Sequence, residues 1–366
     1  MNPPHDSSIS DELLARLAQH AGEADGERIW PKNSWNLLCE IGSLRWCIPK
    51  EYGGMDWSGT TLLTGYKKLA AACLTICFIL TQRDGACRRI RDSRNDFACH
   101  ELLPRLARGE RFATVGLSHL TTSRQHLQPS LIAKFDGEKI ILNGTMPWVT
   151  GAGQADHIVT GAICQDGRQI LLVLPTETAG VRVGPPLDLM ALAGSITAEV
   201  HCHDVEVDRK WLLAGPAERV MAQGKGGTGG LETSCLALGL VSAALDYLHE
   251  ESAARADLEP RVNRIELEFQ ELQNEMLRLS DHPGAPHSND KSPDAAIVLR
   301  GRANSLVLRA TQFALTVAKG SGFLKQHPAQ RWARQAMFFL VWSCPRPAAE
   351  ATLSYLVNPE PVQTRG

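Results

Sequence analysis

Apolar residues along the first hundred positions recur at intervals of three and four, as in Leu13, Leu14 and Leu17, and again in Trp35, Leu38 and Cys39 before Gly42. That spacing lines one face of a helix, and a glycine just past the last apolar position is a stop signal. Residues 69–80 are the longest apolar run and read as a buried helix. Between these stretches, Ile48-Pro49-Lys50-Glu51-Tyr52-Gly53-Gly54 combines proline with paired glycines and predicts an ordered loop. From Phe112 the texture changes to short β-rich runs at 132–135, 140–142 and 169–174, punctuated by Asp136-Gly137, Asn143-Gly144 and Asp166-Gly167. Asp-Gly and Asn-Gly between apolar runs are hairpin signals, so a mostly antiparallel barrel or sandwich is expected over about 112–208. Residues 224–230 are glycine-rich and read as a linker. The period then returns to helix, with Ile265, Phe269, Leu272, Met276 and Leu279 on one face and glutamates and glutamines on the other. A polar loop at 281–290 and the Ser292-Pro293-Asp294 cap precede a long helix running toward Lys319. The fold class is α+β: helices over 1–110, a β-domain over 111–210 and a helical bundle over 211–366.

A chain of 366 residues has room for two or three such units. Its 38 basic and 40 acidic residues give a net charge of −2, which lacks the basic footprint of a nucleic-acid binder. Hydrophobic residues at 43% and charged residues at 21% exclude a disordered or coiled-coil chain. The run at 69–80 is shorter than the roughly 20 residues of a bilayer span. The N-terminus carries no basic start with an apolar run, so a cytoplasmic location is expected. The ten cysteines are scattered without a Cys-x-x-Cys pair and read as reduced, buried small hydrophobes. His201 and His203 fall on one face of a predicted strand beside Cys202 and Asp204, a spacing that can ligate a metal. A structural zinc wants four ligands, so the run is read as a solvated strand edge and no metal site is expected. Residues 224–230 also lack the glycine-lysine-serine/threonine order of a phosphate loop.

Several segments together carry a family resemblance. These are residues 42–54 with their Ile-Pro-x-x-Tyr-Gly-Gly core, residues 102–110 (Leu-Leu-Pro-Arg-Leu-Ala-Arg-Gly-Glu), and Asn143-Gly144-Thr145-Met146-Pro147-Trp148-Val149-Thr150. Nearer the C-terminus stand Gly320-Ser321-Gly322-Phe323, Pro328 and Arg334-Gln335-Ala336. In this order they resemble the acyl-CoA dehydrogenase family of flavoproteins, over almost the whole chain. The resemblance implies a C-terminal four-helix bundle, a non-covalent FAD and an oxidoreductase. It implies that the flavin ring lies against the β-domain, flanked by Trp148, with Thr150 near its N5 and Leu117, Ser118 and Ser123 toward its polar edge. For Trp148 the plainer alternative is core packing. It further implies that Arg255 and the loop of Gly320 and Gly322 approach the cofactor's phosphates across a subunit interface, in a homodimer or homotetramer. Glycine permits close backbone approach and arginine offers a fork that matches phosphate; the alternative for Arg255 is a solvated helix charge.

The departures bear on the chemistry. Where many members carry a glutamate that removes the substrate α-proton, the ungapped register puts Ser343, within Trp342-Ser343-Cys344-Pro345. A hydroxyl without an activating partner does not serve as that base. Other members place the glutamate on the first long helix of the bundle, near Glu232, whose alternative reading is an acid favoured at a helix N-terminus. Glu350 is the next acid along the last segment. The family's glycine turn is replaced over Ser118-His119-Leu120-Thr121-Thr122-Ser123-Arg124-Gln125, Thr316 stands for a glutamine, and Lys319 for a glycine. Lys319 either neutralises a cofactor phosphate or is simply exposed. The expected function is FAD-dependent α,β-oxidation of an acyl-CoA or other acyl thioester, with electrons leaving to a transfer partner or oxygen. The alternatives are a flavin monooxygenase on the same scaffold and a non-catalytic flavin- or acyl-binding homologue.

Overall fold

The computed structural model describes residues 9–121, 130–223, 230–281, 295–344 and 346–357. The first helices are α1 (Asp11–Gln19), α2 (Ala21–Gly26), α3 (Lys32–Ile41), α4 (Gly59–Ala72), α5 (Leu74–Asp92) and α6 (Asp96–Ala107). Their ends follow local chemistry. The Ser10 hydroxyl accepts from Leu13 N at 3.3 Å to start α1, the Asn95 side chain accepts from Ala98 N at 2.9 Å to start α6, and α3 stops at Gly42 with φ +75°. The apolar run at 69–80 is not one helix. Cys73, extended at φ −154°, divides it between α4 and α5, so periodicity found the burial and missed the break.

The central region is one eight-stranded sheet: β1 (Ala113–Gly116), β2 (Leu131–Asp136), β3 (Lys139–Val149), β4 (His157–Cys164), β5 (Gln169–Pro175), β6 (Val181–Val183), β7 (Ala198–Asp208) and β8 (Leu212–Ala217), with the one-turn helix α7 (Ser118–Thr121) after β1. The strand order is β6-β7-β3-β2-β4-β5-β8, with β1 added on β4. Five pairings are antiparallel, as expected, while β1 and β2 each run parallel to β4. Asp136-Gly137 and Asp166-Gly167 turn the β2–β3 and β4–β5 hairpins. Asn143-Gly144 does not turn the chain. It lies inside β3, where the register to β7 shifts, and Gly144 holds φ +128°. A Cβ there would meet Ser130 O at 2.1 Å, so the glycine serves a bulge and a close backbone approach.

The C-terminal part comprises α8 (Leu231–Ala254), α9 (Glu259–Asp281), α10 (Ala295–Ala318), α11 (Pro328–Phe338) and α12 (Arg346–Val357). The predicted linker at 224–229 and cap at 292–294 lie outside the described residues. Helix α8 is apolar on most of its circumference and forms the buried centre, packed by α4, α9 and α10. Cys235 Sγ donates to Leu63 O at 3.0 Å, and a Cβ on Gly239 would meet Ala70 and the Lys67 carbonyl at 2.7 Å. By length and composition α8 is also the one described helix apolar enough to cross a membrane, but most of that stretch is enclosed by the bundle. Helix α9 keeps its predicted stripe, with Ile265, Leu272 and Met276 buried, while Glu268 pairs with Arg309, and Glu271 and Glu275 with Arg302, on α10. The histidines of β7 point outward and Cys202 inward, as the period of two requires.

A buried carboxylate ties the parts together. Asp25, at the end of α2 and 2% exposed, accepts from Leu192 N at 2.8 Å and from Gln335 Nε2 at 2.9 Å, and pairs with Arg334 at 2.8 Å. Replacing Asp25 with Ala leaves the Gln335 carboxamide and the Leu192 amide without their acceptor, while Arg334 keeps Gln330 and Met190 O, and is expected to cost about 1–3 kcal/mol, read from the urea unfolding midpoint; Asp25→Asn, which keeps an acceptor, costs less.

Candidate active site

Two walls meet where α5 packs on β1. The sheet wall begins with Gly116, whose Cβ would meet Met146, Ile158 and Val149 within 3.1 Å, so β1 lies hard against β3 and β4. The chain leaves β1 through Leu117, which is buried, into Ser118, which is half-buried at the start of α7. His119 follows with Nε2 2.7 Å from Gly161 O. A carbonyl only accepts, so this nitrogen carries the proton. Burial pushes the imidazole below its usual value, opposed by that hydrogen bond. On β3, Trp148 is 53% exposed, which overturns core packing as its role in this chain. Thr150, two residues on, is buried, its Oγ1 3.3 Å from Thr197 Oγ1, which is 2.9 Å from Ser195 Oγ. This chain of hydroxyls has no motif in sequence to announce it; Ser195 and Thr197 come from a loop that the sheet register delivers. Ser123 lies outside the described residues.

The helical wall is charged where a helix buried among apolar neighbours would be expected to be oily. Arg83 Nη1 donates to Asp84 Oδ1 at 2.7 Å and its Nη2 to Leu106 O at 2.7 Å. The Tyr66 hydroxyl donates to Asp84 Oδ2 at 2.6 Å. Arg88 Nη1 lies 3.4 Å from Tyr66 Oη, and Arg88 Nη2 is 3.5 Å from Glu232 Oε1 in the first turn of α8. Burial, and then the charge of Asp84, holds the Tyr66 hydroxyl well above its usual value. Burial opposes the charge on Arg88, but Tyr66 and Glu232 outweigh it and the guanidinium is held up. Arg89, beside it, is pushed down to about 10 by burial and by Arg88. Cys47, Asp84 and Cys87 place donor atoms within 4.8 Å of one another, yet both Asp84 oxygens already accept, from Arg83 and Tyr66. None of Tyr66, Arg83, Asp84 or Arg88 was singled out by sequence. The signal available was a run of charge, Arg83-Asp84 and Arg88-Arg89, inside an otherwise apolar helix.

The remaining nominated residues fall elsewhere. Arg255 closes α8, donating from Nη1 to Val317 O at 3.2 Å and pairing with Glu251 at 3.3 Å, which brings it to the loop that follows α10. That loop holds Lys319 exposed at φ +53°; Gly320 has open space around its Cβ position, whereas a Cβ on Gly322 would meet Ala318 at 2.7 Å. Thr316 is exposed and bonds only its own helix, at Gln312 O. Ser343 sits in a turn at φ +45°, after Trp342, which stacks on Phe338 and meets Phe78 of α5 edge-on. Glu350 is on the surface of α12, paired with Arg346 at 2.7 Å. A cavity of about 460 Å³ opens beside Gly153, Asp156, His157 and Trp211, and none of the nominated residues lines it.

Comparison with known proteins gives matches along the chain. Residues 7–110 match the acyl-CoA dehydrogenase N-terminal domain and residues 118–205 the acyl-CoA dehydrogenase middle domain. A probable acyl-CoA dehydrogenase of Bacillus subtilis, YngJ, is 24% identical over 90% of each chain. Butyryl-CoA dehydrogenase from Megasphaera elsdenii superimposes with a TM-score of 0.80 at 19% identity, covering 96% of this chain and all of that one. A glutaryl-CoA dehydrogenase from Mycobacterium smegmatis, solved in complex with FADH2, gives 0.77 at 16% identity, covering 95% and 94%.

His119 and His157 both lie below the ordinary imidazole value of 6.5, chiefly through burial. Below that value the unfolded chain takes up protons that the folded chain refuses, so stability falls as pH falls. Melting temperatures between about pH 7.5 and 5.5 are expected to drop less steeply in His119→Gln, whose amide still reaches Gly161 O, than in the parent.

Proposed function

This chain belongs to the acyl-CoA dehydrogenase family, and from that membership we propose that it oxidises an acyl thioester across its α and β carbons, with Glu232 as the base. The protein is a flavin oxidoreductase of that family, with FAD as its cofactor. The residues present fit such a group. An indole left half open on β3 beside the buried Thr150 hydroxyl suits an aromatic ring with a polar edge, and Leu117 and Ser118 bound the same wall. Gly320, with open space beside it, Lys319 and Arg255 suit the phosphates. Bound FAD supplies the acceptor for the hydride leaving the β carbon.

What the chain's own residues do is position the substrate and move the α-proton. The observation that carries the reading is the Glu232 carboxylate, fixed in the first turn of α8 by Arg88 of α5, the helix that packs on β1. One of its oxygens faces Arg88 and the side chain is one-third exposed, which suits a group that takes up a proton. Glu350 pairs with Arg346 on the surface, which leaves Glu232 as the nominated base. A homodimer or homotetramer is supported by Phe323, 84% exposed beside the glycine loop, and by exposed Leu324 and Val341. Electrons then leave to a protein partner or oxygen, in the cytoplasm. The turn at Ser343, where many relatives have a glutamate, favours a second reading, a flavin monooxygenase or a non-catalytic homologue.

The test is anaerobic mixing of the flavin-loaded protein with straight-chain acyl-CoAs while flavin absorbance is followed. Bleaching is expected in the parent, and Glu232→Gln is expected to slow it by about 10²–10⁴-fold. No bleaching by any acyl-CoA would move the weight to the second reading.

A further inference from the structure

We propose that Arg88 is the positioning residue for the Glu232 carboxylate, and that Tyr66 and Asp84 set its orientation. The inference rests on Glu232 acting as the base.

The argument is one of hydrogen-bond direction. A carboxylate has no proton to give, so both contacts of Asp84 are donations toward it, from Arg83 Nη1 at 2.7 Å and from the Tyr66 hydroxyl at 2.6 Å. Tyr66 has a single proton, and it is committed to Asp84. Toward Arg88 the phenolic oxygen can therefore only accept, which is what a guanidinium Nη1 at 3.4 Å requires. Reversing any one of these bonds would set two donors or two acceptors face to face.

The guanidinium carries that direction onward. Its terminal nitrogens lie in one rigid plane, so fixing Nη1 on Tyr66 fixes where Nη2 points, and Nη2 is 3.5 Å from Glu232 Oε1. The contact is to one oxygen only. Arg88 therefore anchors the carboxylate at Oε1, and the charge of neighbouring Arg89 acts on the same group. A two-pronged pair would engage both oxygens, whereas a single contact leaves more of the carboxylate's lone pairs to receive a proton. The anchor itself is firm: Arg83 and Asp84 are at most 1% exposed, and Tyr66 is fully buried. A glutamate in the first turn of a helix, one-third exposed, has many rotamers to choose from; the buried relay selects one of them.

Lysine is not equivalent here, because a single ammonium on a flexible stem cannot hold both Tyr66 and Glu232 in a fixed plane. The flavin-loaded parent and the variants Arg88→Met, Arg88→Lys, Tyr66→Phe, Glu232→Gln and Arg88→Met/Glu232→Gln are compared by anaerobic stopped flow, using the straight-chain acyl-CoA that bleaches the parent fastest. Arg88→Met is expected to lower the limiting rate of flavin reduction by up to about 10²-fold, as a misplaced group does, with the half-saturating acyl-CoA concentration unchanged. Arg88→Lys should recover part of that rate, and Tyr66→Phe should lose a smaller part. In the Glu232→Gln background, Arg88→Met should have no further effect. The same proteins stripped of flavin are melted, where the Arg88 and Glu232 changes should be non-additive.

If Glu232→Gln reduces the flavin as fast as the parent, the base assignment fails and this inference with it. If Glu232→Gln is slow but Arg88→Met and Arg88→Lys are as fast as the parent, or if the two changes multiply in rate and add in melting temperature, the base stands and the positioning role is overturned. Should Arg88→Met fail to fold, Arg88→Lys and Tyr66→Phe decide by the same comparison.

Discussion

Asp25 sits at the end of a six-residue helix with almost no exposure, and one of its oxygens meets groups 167 and 310 positions away in the chain. A lone buried carboxylate is costly, and partners offset that cost. Here Oδ1 accepts from the Leu192 amide and the Gln335 carboxamide while Oδ2 faces the Arg334 guanidinium, so α2, the loop before β7 and α11 meet at one carboxylate. The surroundings respect it: a Cβ on Gly194 would meet Ala24 O at 2.4 Å, so the loop approaches α2 as closely as a glycine allows. Arg334 adds a second tie, donating to Met190 O at 2.5 Å. These bonds tie α2, the loop before β7 and α11 to one another.

The two faces that meet where α5 packs on β1 differ. The sheet carries an open indole and a short run of buried hydroxyls; the helices carry guanidinium groups balanced by Asp84 and Glu232. Buried ion pairs contribute little to net stability, since desolvation offsets most of their attraction. Their presence on α5 therefore speaks for geometry: they set which donor faces which acceptor. The same helix carries Cys47's neighbour Cys87, whose thiol is drawn below its usual value by its hydrogen bond to Cys47 and by Arg83 against the opposing effect of burial, while Cys47 is pushed well up by burial. A polar interior of this kind requires the apolar shell around it to be well packed.

Much of the architecture was legible from periodicity. Leu17 and Leu38 are buried where the three-and-four spacing put them, and the alternation in β2 and β7 matches their two faces. What was not legible is instructive. Asn143-Gly144 has the composition of a tight turn, but a turn and a bulge both need a glycine at positive φ, and only the proximity of Ser130 distinguishes them. The break at Cys73 has no proline or glycine to mark it, since helix ends set by packing leave no local trace. Trp148 was found through its motif, whereas its exposure depends on the face it takes near the end of β3, where the register to β7 shifts. Arg88 was missed because an arginine one turn from the end of a helix ordinarily points to water, and only the fold shows that α8 covers it.

The burial of α8 has a consequence for how the chain is made. Its apolar circumference is covered on one side by α4, which leaves the ribosome long before it, and on another by α10, which follows later. Neither half of the molecule can shield this helix alone, so during synthesis it emerges before its full cover exists. Contacts between segments so distant in sequence form slowly, and exposed apolar surface in the interval invites aggregation. Cutting the chain between the sheet and the bundle would strip α4 of its partner and leave α8 bare on the side that α4 covers.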